Sequence, residues 1–107
     1  MGRVNEFEAG SIHELHLGDE DVVVLADRVV ELFKSSTIRS DQIYRFHVSH
    51  VRLELKPKRK GEHSLRFSVP YKGSFLEANR VVVPPGSLED AQRFIELVER
   101  EAGRRTG

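Results

Sequence analysis

The sequence predicts a mainly β (α+β) domain that ends in one amphipathic helix. Apolar and polar residues alternate through the middle of the chain with the two-residue period of half-buried strands. Near the C-terminus, apolar residues instead recur at intervals of three and four, which is typical of a helix with one buried face. The length of 107 residues and the hydrophobic content of 38% suit one folded domain. We expect an extension over residues 1–9, a single domain over 10–103 and a frayed tail over 104–107.

The C-terminal helix is predicted over 87–102 by its start and stop signals. The Pro84-Pro85-Gly86 run ends the preceding strand, and Ser87 is a favourable N-cap residue. Gly103 is a typical helix stop. The apolar face comprises Leu88, Ala91, Ala102 and the three residues expected to close one open end of the strand assembly, Phe94, Ile95 and Val98.

The middle of the chain has the pattern of short strands joined by turns. A polar loop over 57–62 joins two alternating segments and predicts a hairpin. A second loop over 70–74 precedes the last strand, over 75–83. The alternation changes phase at Ser49-His50, which predicts a bulge or a tight turn there. The apolar residues that mark these strands are Ile12, Leu15, Leu17, Tyr44, Phe46, Val48, Val51, Leu53, Leu55, Leu65, Phe67 and Val69.

The segment over 21–34 fits two secondary structures. Its apolar residues form a helical stripe, but five of its residues are valine, which favours strands. Asp27-Arg28 would be the tip of a hairpin, although it lacks the glycine that the commonest two-residue turns contain. The stripe consists of Val22, Leu25, Ala26, Val29, Leu32 and Phe33. Composition alone leaves helix and hairpin equally supported.

Two segments resemble bacterial pleckstrin-homology-like (PH-like) domains. Thr37-Ile38-Arg39-Ser40-Asp41-Gln42-Ile43 is similar to a turn of that family, with Arg39 where the family has proline. Glu20 to Leu25 looks like the strand that precedes this turn. The resemblance covers about residues 10–102. It implies a PH-like barrel of about seven antiparallel strands in two sheets, capped by the C-terminal α-helix, and a hairpin over 21–34.

The charges are balanced in total but separated along the chain. Residues 1–34 carry a net charge of −5, residues 35–86 carry +6, and residues 87–107 carry −1. This separation predicts either a basic face for an anionic partner or neighbouring strands whose charges cancel. The candidate anion or partner patch consists of Lys56, Lys58, Arg59, Lys60, Arg66, Tyr71 and Lys72.

The resemblance adds no lipid-binding residues. In PH domains that bind phosphoinositides, the basic residues lie on the loop that joins the first two strands. The corresponding loop here, Gly18-Asp19-Glu20-Asp21, is acidic. The family's lipid-binding residues therefore have no counterparts in this chain.

The sequence contains no recognisable catalytic or metal motif. The absence of cysteine excludes disulfides, thiolate metal sites and thiol catalysis. The pairs His13/His16 and His47/His50 are three residues apart, and on a strand this spacing points the two rings to opposite faces. There is no G-x-S-x-G elbow, no G-x-G-x-x-G and no H-E-x-x-H. We therefore expect no enzyme, no cofactor and no metal.

Nucleic-acid binding is also not expected, because aromatic and basic residues alternate on the candidate strands. Tyr44-Arg45-Phe46-His47 and Arg66-Phe67 place rings and charges on opposite faces, so the rings should face the core. Tyr71 is the only aromatic residue that we expect to be available to a partner.

The sequence thus predicts a non-catalytic interaction module of PH-like fold that binds a protein partner or self-associates. One alternative is peripheral binding to anionic lipid or phosphate through the basic 56–60 loop, and another is a small enzyme with an unrecognised pocket. No apolar run is long enough to cross a bilayer, and the N-terminus has no signal-peptide pattern. We expect a bacterial protein in the cytoplasm.

Overall fold

The computed structural model of the chain describes residues 12–18, 21–34 and 42–103. The predicted extension over 1–9, the tail over 104–107 and the acidic residues Asp19 and Glu20 lie outside these ranges, as do residues 37–41 of the PH-like segment. The seven strands are β1 (His13–Leu17), β2 (Asp21–Ala26), β3 (Val29–Lys34), β4 (Gln42–His47), β5 (Arg52–Pro57), β6 (His63–Tyr71) and β7 (Ser74–Val83), followed by a 3-10 turn (Pro85–Ser87) and the helix α1 (Leu88–Ala102).

The strands form two antiparallel sheets. A four-stranded sheet has the order β1-β2-β3-β4, and a three-stranded sheet has the order β5-β6-β7. The mainly β class with one C-terminal helix is confirmed. The two sheets are not closed into the expected barrel, because no hydrogen-bonded ladder joins them within the described ranges. Instead α1 packs against β1 of one sheet and β5 of the other.

Residues 21–34 form a hairpin, and the expectation of strands is confirmed. Val23 pairs with Leu32 and Leu25 pairs with Val30, and all four side chains are buried. The helical stripe would have omitted Val23 and Val30, both of which are fully buried. Asp27 and Arg28 form the turn with φ angles of 53° and 63°. Both central residues thus have the positive φ of a type I′ hairpin turn, without its usual glycine.

The core lies between the two sheets and under α1. Phe46 of β4 stacks on Phe67 of β6 with ring centroids 5.6 Å apart, which joins the sheets. The predicted tight turn at Ser49-His50 is confirmed, since the His50 N–H donates to the His47 carbonyl at 2.9 Å. On α1, Phe94 and Val98 are buried as expected, and Ile95 is half-buried against the core.

The hairpin of β6 and β7 is longer than the sequence predicts. The expected loop over 70–74 is wrong, since both strands continue to a two-residue turn at Lys72-Gly73. Pro70 is tolerated in β6 because the pairing of β5 with β6 ends at Ser68, so Pro70 has only β7 as a neighbour. A bulge in the ladder at Phe67/Ser68 changes the phase of β7.

The helix boundaries agree with the prediction to one residue. Ser87 is the N-cap residue, but its side chain makes no capping hydrogen bond, and its backbone belongs to the preceding 3-10 turn. Gly103 has a φ of 79°, and its N–H donates to the carbonyls of Arg100 and Glu99. The helix therefore ends at a left-handed glycine cap, as expected.

Phe94→Ala should lower the free energy of unfolding by about 3–5 kcal/mol, because it leaves a cavity between α1 and the two sheets. Gln92→Ala, on the exposed face of the same helix, should change it by less than about 0.5 kcal/mol. Urea unfolding followed by circular dichroism measures both. A loss of under about 1 kcal/mol for Phe94→Ala would show that the helix does not seal this core.

Arg28→Gly should be about 1 kcal/mol more stable than Arg28→Ala, because glycine adopts the positive φ of this turn without strain. Both variants lose the same side chain, so the comparison isolates the backbone. In a helix the order would be reversed, with glycine about 1 kcal/mol less stable than alanine. The sign of the difference, measured by urea unfolding, therefore distinguishes the hairpin from a helix.

Candidate functional site

A groove lies between the edge strand β1 and the helix α1. Its volume is about 450 Å³. Its apolar lining residues are Leu15, Phe94, Leu97 and Ile12, of which the first two belong to the buried core and Leu97 is half-buried against it. The remaining lining residues are His13, Glu14, His16, Asp90 and Arg93. We call this feature the β1–α1 groove.

The wall formed by β1 is an open strand edge. β1 pairs with β2 on one side, and no other described strand pairs with it. An edge strand presents unpaired N–H and carbonyl groups along its free side. Ile12, at the start of this wall, is 67% exposed. The groove thus combines free backbone groups with an apolar floor.

Charged side chains lie along the rim of the groove. His16 Nε2 lies 3.0 Å from Glu14 Oε1 on β1, and Arg93 Nη1 lies 3.5 Å from Asp90 Oδ1 on α1. These pairs are solvent-exposed, so they contribute little to stability and are available to a ligand. Sequence reasoning did not select Asp90 or Arg93, because nothing in a helical pattern shows which strand edge the helix faces.

The two histidine pairs lie at separate places in the fold. On β1, His13 is half-buried and His16 is exposed, and both line the groove. The expectation that His47 and His50 point to opposite faces is wrong, because His50 lies in the turn after β4 and the two ring centroids are 6.0 Å apart. No group of three or more His, Cys, Asp or Glu side chains in the described ranges is arranged to hold a metal ion.

The basic loop between β5 and β6 is exposed. Lys56, Lys58, Arg59 and Lys60 are all exposed, and none of them has an ion-pair partner within the described ranges. The Lys58 N–H donates to the Glu62 carbonyl at 2.8 Å, and the Glu62 N–H donates to the Arg59 carbonyl at 3.0 Å. The tight turn therefore presents Lys58, Arg59 and Lys60, and Lys56 lies beside it near the end of β5.

The structure divides the predicted patch into three parts. Tyr71 and Lys72 lie at the opposite end of β6 from the basic loop, about 26 Å away along nine strand residues. Arg66 lies between them on the outer face of the three-stranded sheet, where its Nε donates to Glu77 Oε1 at 2.7 Å. A single small anion therefore cannot contact all seven predicted residues.

Glu77 is the centre of a charged cluster on this outer face. It accepts a hydrogen bond from Arg80 Nε at 2.6 Å and a second one from Arg66. The hydrogen bond from Arg80, together with that from Arg66 and both positive charges, lowers the pKa of Glu77 below its usual value of 4.5. Arg66 is thus already ion-paired within the chain.

The turn between β6 and β7 carries apolar residues that sequence reasoning missed. Tyr71 is exposed as expected, but Phe75 and Leu76 are about half exposed as well. The expectation that Tyr71 is the only available aromatic residue is therefore wrong. The sequence contained a signal for this exposure. Phe75 and Leu76 are consecutive on one strand, so their side chains face opposite sides of the sheet and only one of them can face the core.

Comparisons of the chain with protein-family models, with curated proteins and with solved structures find no match. Within the part of the chain that the structure describes, no helix has the length and apolar character needed to cross a membrane.

Glu77→Gln should lower the free energy of unfolding at neutral pH and lose this effect in acid. A lowered native pKa means that the ionised carboxylate stabilises the fold above about pH 4.5, and this contribution disappears as the pH falls through the native pKa. Urea unfolding at neutral and acidic pH measures the difference from wild type. Glu54→Gln is the control, since Glu54 lies opposite Arg66 but forms no ion pair within the described ranges. A pH-independent difference for Glu77→Gln would contradict the assignment.

Proposed function

We propose that this chain is a non-catalytic interaction module of PH-like fold that binds an extended segment of a protein partner along β1, in the β1–α1 groove. The observation that carries the proposal is the position of this groove beside a free strand edge. An extended peptide adds to an open edge through main-chain hydrogen bonds, and pockets for alternate side chains supply specificity. The groove offers both features.

The PH-like assignment is supported by the order of the elements. Four strands in one antiparallel sheet precede three in a second, and a C-terminal helix packs on both. The resemblance implies about seven antiparallel strands in two sheets and a C-terminal helix, in keeping with this arrangement, although the sheets are not closed into a barrel. The structure shows the mainly β class, and the PH-like fold is the more specific part of this proposal.

The edge of β7 is a poorer site for an added strand than that of β1. Asn79 Oδ1 accepts hydrogen bonds from the backbone N–H of Arg80 at 2.9 Å and from Lys34 Nζ at 3.1 Å. Lys34 Nζ also lies 3.3 Å from the Arg80 carbonyl oxygen. Main-chain groups in the middle of β7 thus already have partners within the chain, and a lysine on an edge is a common protection against strand pairing.

The groove also indicates the chemistry of the segment that it would bind. Leu15, Phe94 and Leu97 favour an apolar side chain on the bound segment. Arg93 and Asp90 lie on the exposed rim, so a segment with charged residues of both signs beside its apolar residue fits best. Rim charges of this kind set specificity, because a segment that places like charges opposite them is repelled.

Anionic lipid or phosphate binding through the basic loop is the second candidate function. The specific observation in its favour is the presence of four exposed cations without ion-pair partners in the described ranges. Each such charge contributes about 1 kcal/mol near an anionic membrane. The alternative of a small enzyme stays a prediction that no observed geometry favours.

Peptides selected from a random phage-displayed library against the full chain should bind in the groove. Arg93→Glu should weaken the affinity of the best selected peptide at least tenfold, about 1.4 kcal/mol, because the substitution reverses a charge on the rim. Arg100→Glu, also exposed on α1 but outside the groove, should change it less than about twofold. Fluorescence polarisation measures the affinities.

Hydrogen exchange supplies the matching structural readout. Amide protons of β1 should become protected when the selected peptide binds, because β-addition gives them new acceptors. Equal affinities of the two arginine variants, or selection of no peptide above the background of an unrelated protein, would contradict the proposal.

A further inference from the structure

The β6–β7 hairpin projects beyond the rest of its sheet. The pairing of β5 with β6 begins at Arg52 and Ser68, whereas β6 and β7 continue through three further pairs to the turn. These pairs are Val69 with Leu76, Pro70 with Phe75, and Tyr71 with Ser74. The overhang is about 10 Å long at 3.3 Å per residue. We call residues 69–76 the hairpin tip.

The hairpin tip exposes large apolar side chains on both of its faces. Tyr71, Phe75 and Leu76 are 54%, 49% and 53% exposed, respectively. Directly paired residues share a face, so Leu76 lies on the side of Val69 and Tyr71, while Phe75 lies on the opposite side with Pro70. Three large apolar side chains exposed together at the end of one hairpin differ from the singly scattered apolar residues of an ordinary surface.

Cations accompany the two exposed rings. The Arg52 guanidinium lies 4.6 Å from the centroid of the Phe75 ring, and Lys72 Nζ lies 5.4 Å from that of Tyr71. Residues 69–76 contain no acidic residue. The first acid along β7 is Glu77, whose charge is neutralised by Arg66 and Arg80. The tip is therefore both apolar and cationic.

Strand pairing with a second copy along β7 is disfavoured beyond the tip, because Lys34 and Asn79 already bond main-chain groups of Arg80. A protein partner would need a cleft that encloses both faces of the tip. The interface of a lipid bilayer meets this requirement without a preformed shape, since fluid acyl chains can surround a projecting hairpin. The anionic headgroups above them would attract Arg52 and Lys72.

We propose that the hairpin tip inserts Phe75, Leu76 and Tyr71 into the interface of an anionic lipid bilayer, with Arg52 and Lys72 at the level of the headgroups. Tyr71 suits this position because its ring is apolar and its hydroxyl is polar. None of these residues lines the β1–α1 groove. The inference is thus independent of peptide binding, and it places the lipid surface at the other end of β6 from the basic loop.

Co-sedimentation of the full chain with vesicles tests the proposal. Wild type should bind vesicles of phosphatidylcholine with phosphatidylserine and bind pure phosphatidylcholine much more weakly, because the cations need anionic headgroups. Phe75→Ser/Leu76→Ser should lower the partition coefficient at least tenfold, and Lys72→Gln should lower it about fivefold, the equivalent of one charge. Lys58→Gln/Arg59→Gln/Lys60→Gln, at the far end of β6, should stay within about twofold of wild type.

A tryptophan reporter supplies a second measurement that does not depend on removing the apolar contacts. The chain contains no tryptophan, so Tyr71→Trp gives a single fluorophore at the tip. Its emission should shift to the blue when anionic vesicles are added. Circular dichroism checks that each variant is folded.

Three results would overturn the proposal. The first is no binding of wild type to anionic vesicles together with unchanged emission of Tyr71→Trp. The second is loss of binding in the triple basic-loop variant but not in the tip variants, which would assign lipid binding to the basic loop. The third is a concentration-dependent dimer in solution that Phe75→Ser/Leu76→Ser abolishes, which would assign the tip to a second copy of the chain.

Discussion

The rest of the structure depends on the packing of α1 across two sheets that no described backbone ladder joins. The helix contacts β1 of the four-stranded sheet and β5 of the three-stranded sheet, and it buries Ala91, Phe94 and Val98 between them. Side chains of a helix can cover a strand edge but cannot satisfy its backbone groups in the way that another strand does. β1 therefore packs against α1 but has no second strand partner among the described strands.

The position of the helix is fixed at both ends by elements of the sheets. At its start, α1 follows β7 through Pro84 and the 3-10 turn. This short connection contains proline, so its backbone has few accessible conformations. At its end, Arg28 Nη1 in the β2–β3 turn donates to the Glu101 carbonyl at 2.7 Å. This contact satisfies one of the unpaired carbonyls of the last turn. The hairpin over 21–34 and the helix thus support each other.

Sequence patterns predicted most of the elements but not how their surfaces combine. The alternation around Leu53 and Phe67 predicts strands only, and the periodicity around Phe94 predicts a helix only, because a single face of each element is buried. The segment over 21–34 was ambiguous because some of its apolar residues form a helical stripe, whereas its five valines favour strands. The seven-residue patch was predicted as one set, but β6 separates Lys58 from Tyr71 by its full length. The hairpin tip depends on where β5 stops, and no local pattern shows where neighbouring strands end.

The edges of β1 and β7 differ in how many of their main-chain groups have partners within the chain. Strand edges that have no role are commonly protected, and β7 is protected by Lys34 and Asn79. β1 packs against α1, but no described side chain bonds its main-chain groups as Lys34 and Asn79 bond those of β7. An open strand edge beside a groove is a template for pairing with another chain, and the proposed binding of a peptide rests on this property. The hairpin tip shares no residue with this edge, so the two proposed surfaces do not compete for the same side chains.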